Sequence, residues 1–349
     1  MTINIAGRLI GQNQAPFVIA EMSGNHNQSL ERALAIVEAA AAAGAHAIKL
    51  QTYTADTMTL DVRSGSFEIN DPDSLWAGQN LHDLYKKAYT PWEWHGPIME
   101  RAHELGLICF SSPFDETAVD FLKDLGAPAY KIASFENNHL PLIEKAAATG
   151  KPLIISTGMA TLGELDDAVR TAREAGCTQL VLLKCTSNYP SSPENTNLRT
   201  IPHLRQLFNT EVGLSDHTMG IGAAVAAIAL GASVVEKHFT LARADGGVDS
   251  AFSLEPSELA NLVTETNRAW QALGEVRYGP TEAEQKSLVF RRSIYVAEDI
   301  AEGELFTTKN IRIVRPGNGA PPHLYNQLLG RPARRAYQLG APLSMDQLL

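Results

Sequence analysis

Two short apolar runs of the chain end in the same kind of chemistry. Residues 211–217, EVGLSDH, finish in Ser215, Asp216 and His217, and residues 234–238, VVEKH, finish in Glu236, Lys237 and His238. Two imidazoles brought together beside carboxylates can hold a divalent cation with coordination positions left open. Such an ion polarises a carbonyl oxygen. Other apolar runs close on Glu21, on Lys49 and Gln51, on Ser111 and Ser112, on Lys131, Ser134 and Glu136, on Ser156 and Thr157, and on Lys184 and Cys185. Several lysines in one place are tolerable only where anions offset their desolvation. Lys49 and Lys131, with the hydroxyls of Ser134 and Ser156, therefore suit a ligand that carries both phosphate and carboxylate. The alternative is structural: the same lysines pairing with Glu21, Glu136 or Glu236.

These groups need a scaffold that aims them at one point. The apolar runs number eight, at 17–22, 47–52, 107–112, 129–134, 152–158, 180–185, 211–216 and 234–239, and segments of helical period lie between them. Alternating strand and helix units imply a parallel sheet, and eight of them imply a closed (β/α)8 TIM barrel, whose sites form at the C-terminal strand ends. No GxGxxG follows the first run, which counts against an open doubly wound sheet. Residues 61–76, inside a longer connection after the second run, are expected to form an active-site loop or lid. The barrel is expected over 1–275, a polar linker over 276–290, and a small β-rich domain over 291–349. Within that domain 299–311 and 336–348 echo each other in their order of apolar, Gly and Ser/Thr residues.

Bulk properties narrow the function. The 349 residues are 44% hydrophobic and carry a net charge of -10, which disfavours nucleic acid, since its phosphates are met by basic surface. The sequence has neither a membrane-length apolar run nor a secretory leader pattern, and its three cysteines have no CxxC spacing, so a cytoplasmic enzyme without disulfides is expected. Cys185 reads as a packing residue. His82, His95, His103 and His323 read as surface or packing residues, whereas His26 stands where substrate contact is conceivable. STGMAT, 156–161, resembles a phosphate-cradling turn.

In order, IAEMSGNHN, IKLQTY, FSSPFD, YKIASFE, ISTGMAT, GLSDHTMG and VEKHFT resemble the motifs of the nonulosonic (sialic-type) acid synthases, and residues 291–349 resemble their antifreeze-like SAF domain. The resemblance spans essentially the whole chain. It implies condensation of phosphoenolpyruvate with an open-chain N-acetylated amino sugar, releasing phosphate and requiring Mn or Mg. It implies metal ligation by His217 and His238, and a phosphoenolpyruvate shell of Lys49, Lys131, Ser134, Ser156 and Ser215. Sugar-contacting acids would be Glu21 and Glu236, and Glu136 the acid/base or water-positioning carboxylate. Asn25, Gln51, Ser112, Ser187 and Tyr189 are implied as further substrate contacts, and Arg315 as a guanidinium that reaches the barrel mouth in a domain-swapped homodimer. Phe135 in KIASFE, Lys184-Cys185, and Asp249-Ser250 are similar to the branch that makes pseudaminic acid from 2,4-diacetamido-2,4,6-trideoxy-altrose. Legionaminic or N-acetylneuraminic acid are the alternative products. A Schiff-base aldolase using Lys131 or Lys49 is a rival chemistry, and a sugar-binding barrel without turnover a rival class.

Overall fold

The computed structural model describes residues 2–72 and 74–345. Strands β1 (Ile3–Ile5) and β2 (Arg8–Ile10) pair as an antiparallel hairpin. Eight parallel strands follow: β3 (Phe17–Glu21), β4 (Ala47–Thr52), β5 (Ile108–Pro113), β6 (Tyr130–Ile132), β7 (Leu153–Ser156), β8 (Leu180–Cys185), β9 (Glu211–Asp216) and β10 (Val234–His238). They close into a barrel in chain order, β10 returning to β3 with Val234 opposite Phe17 and His238 opposite Glu21. Each strand lies on the run expected for it. β6 is the shortest departure, because the chain leaves the sheet at Ala133 for a 3-10 turn over Ser134–Glu136.

Side chains alternate between the two faces of each strand with a period of two, and that alternation builds two cores. The odd-numbered set Phe17, Ile19, Ala47, Ala129, Val181 and Leu183 points inward with Phe110, Ile154 and Val234. Their neighbours Val18, Ile48, Tyr130, Leu182 and Val235 pack outward against the helices. Helix Leu30–Ala42 shows how the outer layer forms. Ser29 caps its first turn by accepting from the Arg32 N–H at 3.2 Å, and Ala33, Ile36, Val37 and Ala40 are buried one turn apart. A fully buried isoleucine in such a stripe stabilises by about 2–3 kcal/mol.

The inward core continues into a plug absent from the expectations. Ile3, Ile5 and Ile10 of the hairpin, at most 1% exposed, join the cluster of Phe17, Phe110 and Val234. Ala6 and Gly7, both at positive φ (48° and 88°), make the tight turn that returns β2 onto β1. The N-terminal end of the barrel is thus lined largely by apolar side chains, and the polar cavity opens at the opposite end.

The chain divides into two units, Met1–Gly274 and Glu275–Leu349. The stretch expected as a linker groups with the second unit and carries a 3-10 turn over Gln285–Phe290. In that unit β11 (Ser293–Val296) and β12 (Ile311–Val314) pair antiparallel above a small core of Ile294, Val296, Phe306, Ile311, Leu324 and Leu328. The two echoing segments are joined to each other, Ile300 and Tyr337 exchanging both backbone hydrogen bonds (2.9 and 2.8 Å). Residues 346–348 of the second echo lie outside the described residues. No described helix is long and apolar enough to cross a membrane.

Candidate active site

Above the apolar layers, the next inward position of nearly every strand is polar. Glu21, Lys49, Lys131, Ser156, Ser215 and Glu236 all face the barrel axis and line a cavity of about 480 Å3 at the C-terminal mouth. Their burial is close to complete, with Lys49 3% and Lys131 1% exposed. Lys49 Nζ lies 2.5 Å from Glu21 Oε2 and 3.9 Å from Glu236 Oε2, and it donates to Ser112 Oγ at 3.1 Å. Lys131 Nζ lies 3.6 Å from Glu236 Oε1 and donates to Ser156 Oγ at 2.7 Å. Glu236 is the carboxylate these two ammonium groups share. The lysines thus pair with Glu21 and Glu236, as the ionic alternative has it, and still face open cavity.

The electrostatics follow from that crowding. Burial pushes the Lys131 ammonium below its usual range; attraction to Glu236 opposes this without overcoming it, and the smaller repulsion from Lys49 adds to the lowering. Burial also disfavours a charged Lys49, but Glu21 and Glu236 more than compensate and hold it protonated. Glu236 is kept ionised against its burial by Lys131, Lys49 and Ser215 Oγ, which donates to it at 3.0 Å. Glu136, half-buried in the 3-10 turn after β6, is pushed up to about 7 by burial, with Lys131 pulling the other way. Among the described residues, Glu136 Oε2 and Glu236 Oε2 are buried without a hydrogen-bond partner, which leaves them open to a ligand.

The imidazoles of His217 and His238 do face each other, with ring centroids 5.3 Å apart. Each has its Nδ1 engaged. His217 Nδ1–H donates to the Thr186 carbonyl at 3.0 Å, and His238 Nδ1 meets Ser23 Oγ at 3.3 Å. That leaves Nε2 on both rings as the nitrogen with a free lone pair, the arrangement that outer hydrogen bonds give to metal-binding histidines. Burial holds His238 well below its usual pKa, hence neutral. Among the described residues no three His, Cys, Asp or Glu side chains form a ready-made cation cage. The donor set therefore fits a cation that takes two protein nitrogens and its other ligands from substrate and water.

Period two sorts the remaining expectations. Ser134, Glu136, Ser187, Tyr189 and Gln51 line the cavity. Ser112, in register with Gln51, is not a lining residue and accepts a hydrogen bond from Lys49. Asp216 and Lys237 point outward and pair with each other at 2.8 Å, so they are not mouth residues despite their place at strand ends. Lys184 also turns away and donates to the Cys185 carbonyl at 2.7 Å. Asn25 is fully buried outside the cavity. Its amide donates to the Phe239 carbonyl and to Ser253 Oγ, both at 2.9 Å, and so ties the loop after β3 to the one after β10. His26 is buried edge-on against Trp94 with Thr90 Oγ1 at 3.2 Å, not in the cavity. His82 and His95 are buried packing residues bonded to Asp56 and Thr52, each at 2.8 Å. Arg315 is exposed in the loop after β12 of the second unit.

Two readings change. Cys185 faces the cavity, its sulfur 3.9 Å from His217 Nδ1; burial raises its pKa, but His217, Ser134 and Lys131 bring it down to about 7. The STGMAT turn does not offer a helix N-terminus to a phosphate. Helix Leu162–Glu174 is sealed by its own Thr161–Glu164 capping box, and the Gly158 N–H donates to Ser134 Oγ at 3.2 Å. Gly158 is required there for space: a Cβ would fall 2.2 Å from Ser187 Oγ and 2.6 Å from Ser134 Oγ. The loop expected at the site, 61–76, does reach the cavity through Ile69 and Trp76, but sequence reading did not foresee that it joins Met58, Leu81 and Leu84 in an apolar wall. Asp249, noted only as a sequence variant, lines the cavity half-buried, with Oδ2 3.9 Å from His238 Nδ1.

A closed parallel barrel with paired ammonium groups, unsatisfied carboxylate oxygens and facing imidazoles at its C-terminal mouth belongs to the barrel enzymes that act on anionic substrates. Residues 36–278 match the model of the NeuB family, and residues 291–349 match that of the SAF domain. The chain belongs to the NeuB family. It is 45% identical to a pseudaminic acid synthase of Campylobacter jejuni, over 94% of this chain and 95% of that one, and 43% identical to one of Helicobacter pylori, over 96% and 98%. A crystal structure of N-acetylneuraminic acid synthetase from Leptospira borgpetersenii in complex with citrate, 33% identical, covers 82% of this chain and 95% of its own with a TM-score of 0.73.

Proposed function

We propose that the chain condenses phosphoenolpyruvate with open-chain 2,4-diacetamido-2,4,6-trideoxy-altrose, giving pseudaminic acid and inorganic phosphate. The observation that carries the chemistry is the pair of buried ammonium groups, Lys49 and Lys131, sharing Glu236 beside His217 and His238. The high identity to pseudaminic acid synthases supports the choice of sugar.

In this reading Lys49 and Lys131 hold the phosphate and carboxylate of phosphoenolpyruvate, with Ser134, Ser156 and Ser187 donating to its oxygens. C3 of the enol attacks the sugar aldehyde carbon, water adds at C2, and the C2–O bond to phosphate breaks. Atoms balance with one water consumed. His217 and His238 would hold a divalent cation, Mn or Mg, which when bound would supply Lewis acidity toward the aldehyde oxygen. Glu136, with its free Oε2 and a pKa near neutrality, accepts or returns the proton of the adding water. Glu21 and Glu236 hold the electropositive floor in place and offer acceptors to sugar hydroxyls. The acting unit is a cytoplasmic homodimer in which Arg315 of the partner subunit serves the sugar.

Phosphate release tests the proposal. Purified enzyme with Mn is offered phosphoenolpyruvate and, in turn, the altrose-configured acceptor, its mannose-configured epimer and N-acetylmannosamine. Release only with the first is expected, and release only with N-acetylmannosamine refutes the choice of sugar. Trapping of a pyruvyl-lysine adduct by borohydride, with full activity in chelator, would instead indicate an aldolase working through Lys131 or Lys49.

A further inference from the structure

The cavity has two unlike sides. Its floor is the polar ring of strand-end residues, and the side built by residues 53–88 is carbon. Met58, Ile69, Trp76 and Leu81 line it while only half-buried, so their free surface faces the cavity, and Leu84 lies beside them. Tyr53 and Tyr85 extend it, their rings packed edge to face at 5.8 Å. Trp76, Asn80 and His82 of this segment spend their polar groups within the fold, which leaves the phenol groups of Tyr53 and Tyr85 as its polar points on the cavity. The Trp76 indole N–H donates to the Val248 carbonyl at 3.0 Å, which latches the segment to the loop after β10. Asn80 spends its amide on the Val62 and Phe67 carbonyls (2.6 and 3.2 Å) and accepts from the His82 N–H. His82 in turn holds Asp56.

A sugar that reacts at its aldehyde end over the imidazoles must send its far end away from the floor, toward this side. A hydroxyl set against carbon there loses its water partners and gains none, whereas a methyl group loses nothing. We infer that the wall of Ile69, Trp76 and Leu81 is the specificity element for the acceptor: it seats the C6 methyl group and refuses a sugar with a 6-hydroxyl. The inference rests on the proposed condensation reaction but not on the stereochemistry of the sugar. Residues 61–76 thus act less as a cover than as a selector. Trp76 presents only ring carbon because its nitrogen is already bonded.

The test measures kcat/KM for phosphate release on two matched pairs: the altrose-configured 6-deoxy acceptor against its 6-hydroxy counterpart, and the same pair in mannose configuration. The protein is the full chain with Mn, as wild type, Ile69→Ser and Leu81→Ser. Wild type is expected to prefer the 6-deoxy member by about 10- to 100-fold. Each variant is expected to lower that ratio about tenfold through the sugar KM, with the KM for phosphoenolpyruvate within about twofold of wild type. A wild-type ratio near one overturns the inference. So does an unchanged ratio in both variants whose phosphoenolpyruvate KM shows an intact floor. If one variant fails to fold, the wild-type ratio and the other variant decide. Turnover of the mannose-configured pair alone, with the same 6-deoxy preference, supports the wall and overturns the sugar proposed above. Turnover of neither pair overturns both.

Discussion

Replacing Glu236 by Gln removes the one charge that Lys49 and Lys131 share, while keeping the shape of the side chain. With oxygens 3.6 and 3.9 Å from the two ammonium nitrogens, each attraction is about 4 kcal/mol at an effective dielectric of roughly 20. Desolvation of the carboxylate, which the substitution relieves, offsets a large part of that sum. Breaking a buried pair by neutralising one partner costs about 3–5 kcal/mol, and Glu21 remains to steady Lys49. The variant should therefore melt about 6–20 °C lower than wild type in metal-free buffer without anions, at about 2–4 °C per kcal/mol for a domain of this size. The same calculation gives the opposite sign for ligand binding. Two under-compensated ammonium groups attract an anion more strongly, so millimolar phosphate or phosphoenolpyruvate should raise the melting temperature of Glu236→Gln more than that of wild type. Differential scanning calorimetry across a phosphate titration reads both effects. A melting temperature within about 2 °C of wild type, or equal stabilisation of the two proteins by phosphate, would refute the idea that this carboxylate balances an anion site.

Other expectations concern separate parts of the molecule. His238→Ala should lower kcat about a thousandfold or more and abolish Mn binding by calorimetry, with phosphoenolpyruvate binding retained. Glu136→Gln should change how stability varies with pH. Its carboxyl is held at about 7 in the fold against 4.5 in the open chain, so its contribution is complete below pH 4.5 and is lost as pH rises through 7. The variant, lacking that loss, should gain about 1–3 kcal/mol relative to wild type between pH 4.5 and 8, read from urea midpoints at both ends. Ile5→Ala, in the hairpin beneath the barrel, should cost about 2–4 kcal/mol of stability and leave the KM for both substrates unchanged.

Much of the barrel could be read from the chain because eight strands carry uninterrupted apolar runs with period-two alternation and end on polar residues. The same alternation held more than was taken from it. Counting from Val234, which faces in, Glu236 and His238 must face in and Lys237 out; counting from Leu183, Cys185 must line the site and Lys184 must not. The odd-numbered positions were the signal that separates Asp216 from Ser215 and His217. What no local pattern could reveal is long-range closure. Asn25 looks like a mouth residue in SGNHN, and only the fold shows its amide spent on Phe239 and Ser253. The carbon wall was hidden for the same reason. Residues 61–76 are polar on average, and the few apolar ones, Ile69 and Trp76, are too sparse to show a period until the loop lies against the cavity.

The hairpin under the barrel bears on the order in which the protein can be made. Ile3, Ile5 and Ile10 find their full surroundings only when Phe17 lies beside Val234, and that strand emerges from the ribosome after all the other staves. Residues that precede every stave in the chain are thus among the last to be sealed, and a sheet joined across such sequence separation forms slowly. Until the last stave arrives, an isoleucine-rich ribbon that precedes the barrel stays uncovered on the nascent chain, open to a chaperone.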